Sequence, residues 1–179
     1  MTGRRPDRSR ASNPLYLMAK PSDEVRTQMI ATGRVDPFRD AGLLHMTIQP
    51  LCDLATLPAG VAAWVAGLLN GQLPSFQLVF DRIVESARTV SLRGSQPAEG
   101  AIAFQRAIVS ALIERGFPVP PYRLVPHVTI AYHCDGLGSE AILPIHWSVQ
   151  EVLLVESVVG RARHIVHGRW GLAARVPCA

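Results

Sequence analysis

Two short segments of this sequence share one pattern, and each lies in a run of residues that is typical of a β-strand. Residues 45–48 (HMTI) and 127–130 (HVTI) both read HxTI, with the two histidines 82 positions apart. Side chains alternate between the faces of a strand, so the histidine and threonine of each segment share a face while the apolar residues point into the core. By composition, two such matched segments arise together roughly once in 10,000 chains. The fold must therefore contain two related strands that each present an imidazole and a hydroxyl.

Strand-like and helix-like patterns alternate around these segments. Strands are predicted at 15–19, 43–51, 76–85, 89–93, 124–132, 147–159 and 164–172, and helices at 22–32, 58–69 and 101–115. This mixture predicts an α+β fold with largely antiparallel sheets. The repeated motif indicates a pseudo-duplication, with a turn-rich joint between the halves at 94–100.

Length and charge favour one domain preceded by a tail. The chain has 179 residues and is 48% hydrophobic, which suffices for one core. Four arginines and one aspartate in the first ten residues carry +3 of the formal net charge of +4. We interpret 1–13 as a disordered basic tail and 14–179 as a single bilobal domain, nearly neutral in itself. We expect this domain to be a monomer.

No apolar run reaches the length of a membrane span, and the first residues lack the apolar stretch of a signal peptide. We therefore expect a cytoplasmic protein without a membrane partner. Three cysteines without CxxC spacing, Cys52, Cys134 and Cys178, predict free thiols.

The motif side chains have the chemistry that phosphodiester cleavage needs. One of His45 and His127 can take a proton from the attacking oxygen while the other gives one to the leaving oxygen. The hydroxyls of Thr47 and Thr129 can donate to the non-bridging phosphate oxygens. These groups suffice for catalysis, so we predict no metal and no cofactor. We expect both histidines on central strands of their lobes, with their rings converging on one cleft.

Beyond the residues themselves, the sequence resembles a known superfamily. The paired HxT segments, Pro126 directly before the second one, and the closing run EVLLVES at 151–157 resemble the 2H phosphoesterases. The likeness is greatest to the branch of 2'-5' RNA ligases, or RNA 2',3'-cyclic phosphodiesterases. This resemblance implies two lobes related by a pseudo-twofold axis, helices on the outer faces of two sheets, and a central cleft.

The resemblance also implies a reaction. It is the hydrolysis of a 2',3'-cyclic phosphate, on an RNA end or a nucleotide, to a 2'-phosphate, or ligation through a 2'-5' linkage. In that reaction His45 protonates the leaving 3' oxygen, His127 activates water, and Thr47 and Thr129 bind the phosphate.

The sequence departs from the RNA branch at two positions. That branch often carries an aromatic residue shortly after the first motif and an arginine shortly after the second, where this chain has Pro50 and Tyr132. A tyrosine hydroxyl replaces a bidentate arginine only weakly, and we expect Tyr132 to face away from His127 and to pack. Three other arginines are possible substitutes: Arg93, Arg123 and Arg161.

Three other interpretations remain open. A metal site is suggested by His133, His146, His164 and His167, since His133 is beside Cys134 and His164 and His167 are three apart, although residues three apart in a strand face opposite sides. A 2H enzyme of another branch would act on a small cyclic nucleotide, which the near-neutral domain favours because tracking long RNA needs a basic surface. A non-catalytic module would bind a nucleotide or RNA end without needing two titratable groups.

Overall fold

The computed structural model describes residues 13–53, 61–69, 73–132, 136–158 and 160–174. In chain order they form β1 (Pro14–Ala19), α1 (Asp23–Ala31), β2 (Met46–Asp53), α2 (Val61–Leu69), β3 (Phe76–Glu85), β4 (Thr89–Arg93), α3 (Glu99–Glu114), β5 (His127–Tyr132), β6 (Gly138–Val149), β7 (Glu151–Val158) and β8 (Arg163–Gly171). The predicted α+β class is confirmed. Within these ranges no helix has the length and apolar character needed to cross a membrane.

The strands form two four-stranded antiparallel sheets, as predicted. The first sheet has the order β2-β1-β7-β8 and the second has the order β5-β4-β3-β6. The first sheet thus combines the first two strands with the last two, and the second contains the middle four. The joint expected at 94–100 is therefore not a boundary between lobes, because strands before and after it share the second sheet.

A repeated unit places both motifs at equivalent points. In the first sheet, β1, α1 and β2 follow one another, and in the second sheet β4, α3 and β5 do the same. In each unit the HxTI segment lies where the strand that follows the helix begins. β2 and β5 are the edge strands of their sheets, and they contact each other. The pseudo-duplication predicted from the motif is therefore visible in the order of elements.

Local sequence explains the two helices of these units. The side chain of Ser22 caps α1 by accepting a hydrogen bond from the backbone N–H of Val25 at 3.3 Å, and Gly33, at φ +70°, ends it. α3 buries an apolar stripe at helical spacing that includes Phe104, Ile108 and Leu112. The buried faces of both helices join one core that extends across the two sheets. The predicted start of α2 lies outside the described residues.

Three strand predictions need correction, and the first is that β5 begins at His127 rather than at 124. β2 begins at Met46 rather than at 43, because Ala41–Leu43 form a short 3₁₀ turn that Asp40 caps. The run predicted as one strand at 147–159 belongs to two strands, β6 and β7, that meet at Gln150. Most of β6 escaped prediction because it is an edge strand with exposed Leu143 and with Pro144, a residue that lacks the N–H a central strand needs.

Residues 1–12 lie outside the described residues, and with them almost all of the predicted tail. Asn13, the last residue assigned to it, donates a hydrogen bond at 2.6 Å to the buried carboxylate of Glu156 in β7. The ordered domain therefore includes Asn13. Cys134 and Cys178 also lie outside the described residues, and Cys52 is a free thiol.

Candidate active site

Both motif histidines are held by the same backbone contact. Nδ1 of His45 lies 2.6 Å from the carbonyl oxygen of Leu43, and Nδ1 of His127 lies 2.7 Å from that of Val125. A carbonyl oxygen only accepts hydrogen bonds, so each ring carries a proton on Nδ1. In both motifs Nε2 is then the ring atom left to exchange a proton with a ligand.

The rest of each motif alternates as predicted. The histidines and threonines are partly buried, whereas the apolar residues that alternate with them have no exposed surface: Met46, Ile48, Val128 and Ile130. His45 itself precedes the first residue of β2, and His127 is the first residue of β5. Burial of the apolar residues fixes the face on which the polar side chains lie.

The two motifs come from different sheets and approach each other in the middle of the molecule. The expectation of central strands is wrong, since β2 and β5 are both edge strands. The edges nevertheless pack together, and the charge of His127 is among the influences that lower the pKa of His45. The contact between the two sheet edges thus brings the strands of the two motifs together.

A pocket of about 400 Å³ surrounds the first motif. Among the side chains that line it are those of Arg39, His45, Thr47, Tyr132, Arg163 and His164. A second cavity, of about 1140 Å³, reaches Pro126 directly before the second motif, and its lining includes Arg93. The first pocket thus unites His45 with Thr47, whereas His127 and Thr129 do not line it.

Burial lowers the pKa of His45, and the neighbouring cations Arg39 and Lys20 lower it further, while the hydrogen bond to Leu43 acts in the opposite direction. The ring of His164, on β8, lies edge-on to it with 5.0 Å between ring centroids. Burial, together with the charge of His45, lowers the pKa of His164 to about 4. His164 is therefore neutral near pH 7, and it adds no positive charge beside His45.

The metal interpretation of His164 and His167 finds no support in their contacts. Nε2 of His167 lies 2.8 Å from the carboxylate of Glu156, while the ring of His164 lies against His45. The two rings thus have different partners, as their spacing in a strand predicts. In the described ranges no three side chains of the metal-binding types cluster together. His133 and Cys134 lie outside those ranges.

Arg39 is a site residue that the sequence analysis missed. Its guanidinium carbon lies 4.8 Å from the centre of the Tyr132 ring, a cation–π distance. Tyr132 is 51% exposed and lines the His45 pocket, so the expectation that its role is packing is wrong. Arg39 belongs to the irregular segment between α1 and β2, where no periodic pattern marks a residue as functional.

Of the arginines considered from sequence, Arg93 lies nearest to a motif. It is the register partner of His127 in the pairing of β4 with β5, so both side chains lie on the same face. Its Nε donates to the hydroxyl of Ser91 at 3.1 Å. Arg123 is exposed in the lining of the larger cavity, and Arg161 is exposed in the turn before β8.

Buried glutamines connect the strand of the first motif to the segment that leads into the second. Gln49, on β2, donates to the carbonyl oxygen of Pro120 at 3.0 Å. Gln105, on α3, donates to the side-chain oxygen of Gln49 at 2.9 Å and to the carbonyl oxygen of Tyr122 at 3.1 Å. These buried hydrogen bonds join β2 to the segment before β5. They therefore restrict how the two motifs lie relative to each other.

Comparison with known proteins agrees with this architecture. No protein-family profile matches the chain, and no curated protein matches its sequence. Among solved structures, Escherichia coli LigT complexed with 3'-AMP matches with a TM-score of 0.67 and 24% identity, over 90% of this chain and 99% of that one. The chain has the fold of LigT.

Two other solved structures give the same result. A protein described as a phosphoesterase matches with a TM-score of 0.67 and 23% identity, over 90% of this chain and 99% of that one. TT0787 of Thermus thermophilus matches with a TM-score of 0.69 and 17% identity, over 91% of this chain and 100% of that one. The predicted resemblance is thus confirmed at the level of the fold, which is that of LigT-like phosphoesterases.

Proposed function

We propose that this protein is a metal-independent phosphodiesterase that hydrolyses 2',3'-cyclic phosphates, with His45 and His127 as its acid/base pair. The observation that carries the proposal is the matched bond from Nδ1 of each histidine to a backbone carbonyl. Two rings with the same tautomer, on two strands that contact each other, supply two Nε2 atoms for two proton transfers.

The reaction needs only these transfers around one phosphorus atom. One imidazole takes a proton from water as the water oxygen attacks phosphorus, and the bond from phosphorus to the 3' oxygen breaks. The other imidazole gives its proton to that oxygen, which leaves a 2'-phosphate and a free 3'-hydroxyl. Thr47 and Thr129 donate to the non-bridging oxygens, whose negative charge grows in the transition state.

Two substrate classes fit this chemistry. The pocket at His45, about 400 Å³, lies in the range of sites for small ligands and suits a single nucleotide. Solved structures of E. coli LigT contain 3'-AMP in one case and NADP+ in another. We therefore propose a cyclic-phosphate nucleotide, free or at the end of an RNA, as the substrate, with 2'-5' ligation of RNA ends as the near-reverse reaction.

One assay tests the activity and the substrate class together. The full chain is incubated in EDTA with 2',3'-cyclic AMP and with an oligoribonucleotide that ends in a 2',3'-cyclic phosphate, and the product isomer is identified. We expect a 2'-phosphate from at least one substrate. Turnover that is lost in EDTA and restored by a divalent ion would contradict metal independence.

The same assay separates the alternatives. A preference for the free nucleotide would favour the small-molecule branch, and a preference for the oligonucleotide would favour RNA ends. Tight binding of both compounds without any product would identify a binding module and overturn the catalytic proposal. Adding an oligonucleotide with a free 5'-hydroxyl tests ligation through the 2'-5' product.

A further inference from the structure

We propose that Arg39 binds the substrate phosphate in the His45 pocket, and that Tyr132 holds its guanidinium in the binding position. This inference rests on the proposed function, because it assigns the anion-binding residue of the same site. Tyr132 acts through Arg39 and is a positioning residue.

The first observation is that the guanidinium of Arg39 has no carboxylate partner among the described residues. Three arginines of the described part of the chain pair with carboxylates: Arg26 with Asp23, Arg34 with Glu85 and Glu140, and Arg169 with Glu151. In that same part of the chain, Nε of Arg39 is buried without a hydrogen-bond partner, and its guanidinium makes no ion pair. A partly buried cation without an anion is costly, and a bound phosphate would offset that cost.

The neighbouring aspartates are occupied elsewhere. A carboxylate oxygen of Asp36 accepts from the backbone N–H of Phe38 at 2.9 Å, and one of Asp40 accepts from that of Gly42 at 2.8 Å. These bonds shape the loop that carries Arg39. The guanidinium of Arg39 is therefore available to stack on the Tyr132 ring and to bind a ligand in the pocket.

The second observation is that Arg39 is held between the two sheets. The loop between α1 and β2 docks on β5 through a hydrogen bond from the N–H of Asp36 to the carbonyl oxygen of Ile130, at 3.0 Å. The N–H of Arg39 then donates to the carbonyl oxygen of Asp36, also at 3.0 Å. Stacking on Tyr132 completes the placement, since a planar guanidinium over an aromatic face loses little further freedom when it binds a ligand.

The third observation is the position of this charge relative to the motif. Arg39 and Tyr132 line the same pocket as His45 and Thr47. The charge of Arg39 lowers the pKa of both His45 and His164, so it acts directly on the imidazoles around the proposed phosphate position. An anion bound there would meet the guanidinium of Arg39, the hydroxyl of Thr47 and the imidazole of His45.

Binding of inorganic phosphate tests the inference without any chemical step. The full chain is titrated with phosphate by calorimetry, and Arg39→Met is compared with Arg115→Met, which removes the same charge at the exposed end of α3. We expect Arg39→Met to weaken phosphate binding by about 10- to 100-fold, the usual range for a charged hydrogen-bonding partner, and Arg115→Met to leave it unchanged. Arg39→Lys should recover only part of the affinity, because an ammonium lacks the planar fork.

Variants of the ring test the positioning role. Tyr132→Phe keeps the stacking surface and should bind phosphate as the wild type does, whereas Tyr132→Leu should weaken binding by several-fold. A circular dichroism spectrum of each variant verifies the fold. Tyr132→Phe as weak as Tyr132→Leu would overturn the stacking role, because it would show that the hydroxyl is the group that matters.

Two results would overturn the role of Arg39. One is wild-type phosphate affinity in Arg39→Met, and the other is a larger loss in Arg163→Met, since Arg163 is the exposed arginine of the same pocket. Turnover assays separate this failure from that of the proposed function. Cyclic-phosphate hydrolysis with an unchanged KM in Arg39→Met would refute only the inference, whereas Arg39-dependent phosphate binding without any hydrolysis would refute only the enzyme.

Discussion

The two motif histidines have the same tautomer and the same backbone partner, but their surroundings differ. His45 shares its pocket with Arg39 and with a neutral His164, and burial lowers its pKa, as do the charges of Arg39 and Lys20. His127 begins an edge strand beside Arg93, next to a cavity more than twice as large. The same backbone contact thus sets the tautomer of both rings, and the tertiary surroundings of His45 lower its pKa.

This difference bears on the roles of the pair. A general acid must arrive protonated, and a general base must arrive neutral. Burial and nearby cations favour neutral His45 in the free protein, so it suits the base without further change. In the acid role that the resemblance implies, His45 would need the bound phosphate to raise its pKa first. We therefore expect His45 to act as the base and His127 as the acid.

Removing either histidine should have the largest effect. We expect His45→Ala and His127→Ala each to lower kcat/KM for a 2',3'-cyclic phosphate by about 100- to 10,000-fold, the usual loss of a general acid or base. His146→Ala is the matched control, because His146 is exposed on β6. Near wild-type turnover in either His45→Ala or His127→Ala would contradict the two-histidine mechanism.

The leaving group distinguishes acid from base. A nucleoside phosphodiester with a 4-nitrophenol leaving group departs without protonation, so a variant that lacks only the acid should recover most of its lost rate on it. We expect this recovery in His127→Ala and not in His45→Ala. The reverse pattern would restore the assignment that the resemblance implies.

The threonines should matter less than the histidines. Loss of one donor to a developing oxyanion costs up to about 1,000-fold, and the second threonine covers part of that loss here. We expect a measurable residual rate from Thr47→Ala and from Thr129→Ala, with the larger loss in Thr47→Ala because Thr47 shares its pocket with Arg39. Equal losses in kcat/KM would show that the two halves contribute evenly to phosphate binding.

The pH dependence of kcat/KM should be bell-shaped, since one ring must be neutral while the other is charged. The ordinary pKa of a histidine is about 6.5. Because the pKa of His45 is lowered, the rising limb should lie below that value. In Arg39→Met this limb should move to higher pH, because a cation that opposes protonation of His45 is gone. A profile with a single titration would contradict the paired mechanism.

The smallest expected effect concerns the contact between the halves. Gln105→Leu leaves the carbonyl oxygen of Tyr122 and the side-chain oxygen of Gln49 without their donor. We expect a loss of about 1 to 3 kcal/mol in the free energy of unfolding, measured by urea denaturation. Gln77→Leu, which removes an exposed side-chain hydrogen bond on β3, should cost less than about 0.5 kcal/mol. Equal costs would show that the buried glutamines do not hold the halves together.

Local sequence was sufficient to predict the parts that local physics determines. The alternation around His45 and His127 predicted two strands with shared faces, and the cap at Ser22 and the apolar spacing of α3 predicted helices. Arg39 could not be found in this way, because its importance comes from stacking on Tyr132, 93 positions along the chain. The same holds for His164, which meets His45 only because β8 completes the first sheet.

The division of strands between the sheets has a consequence for synthesis on the ribosome. All four strands of the second sheet, from Phe76 to Val149, are synthesised before β7 and β8. Before β7 is available, the edge of β1 that β7 covers in the complete sheet has no partner, and such an edge is prone to pair with other chains. We expect the half with His127 to fold first and the half with His45 to fold later, so a nascent chain holds both histidines in place only after β7 and β8 have emerged from the ribosome.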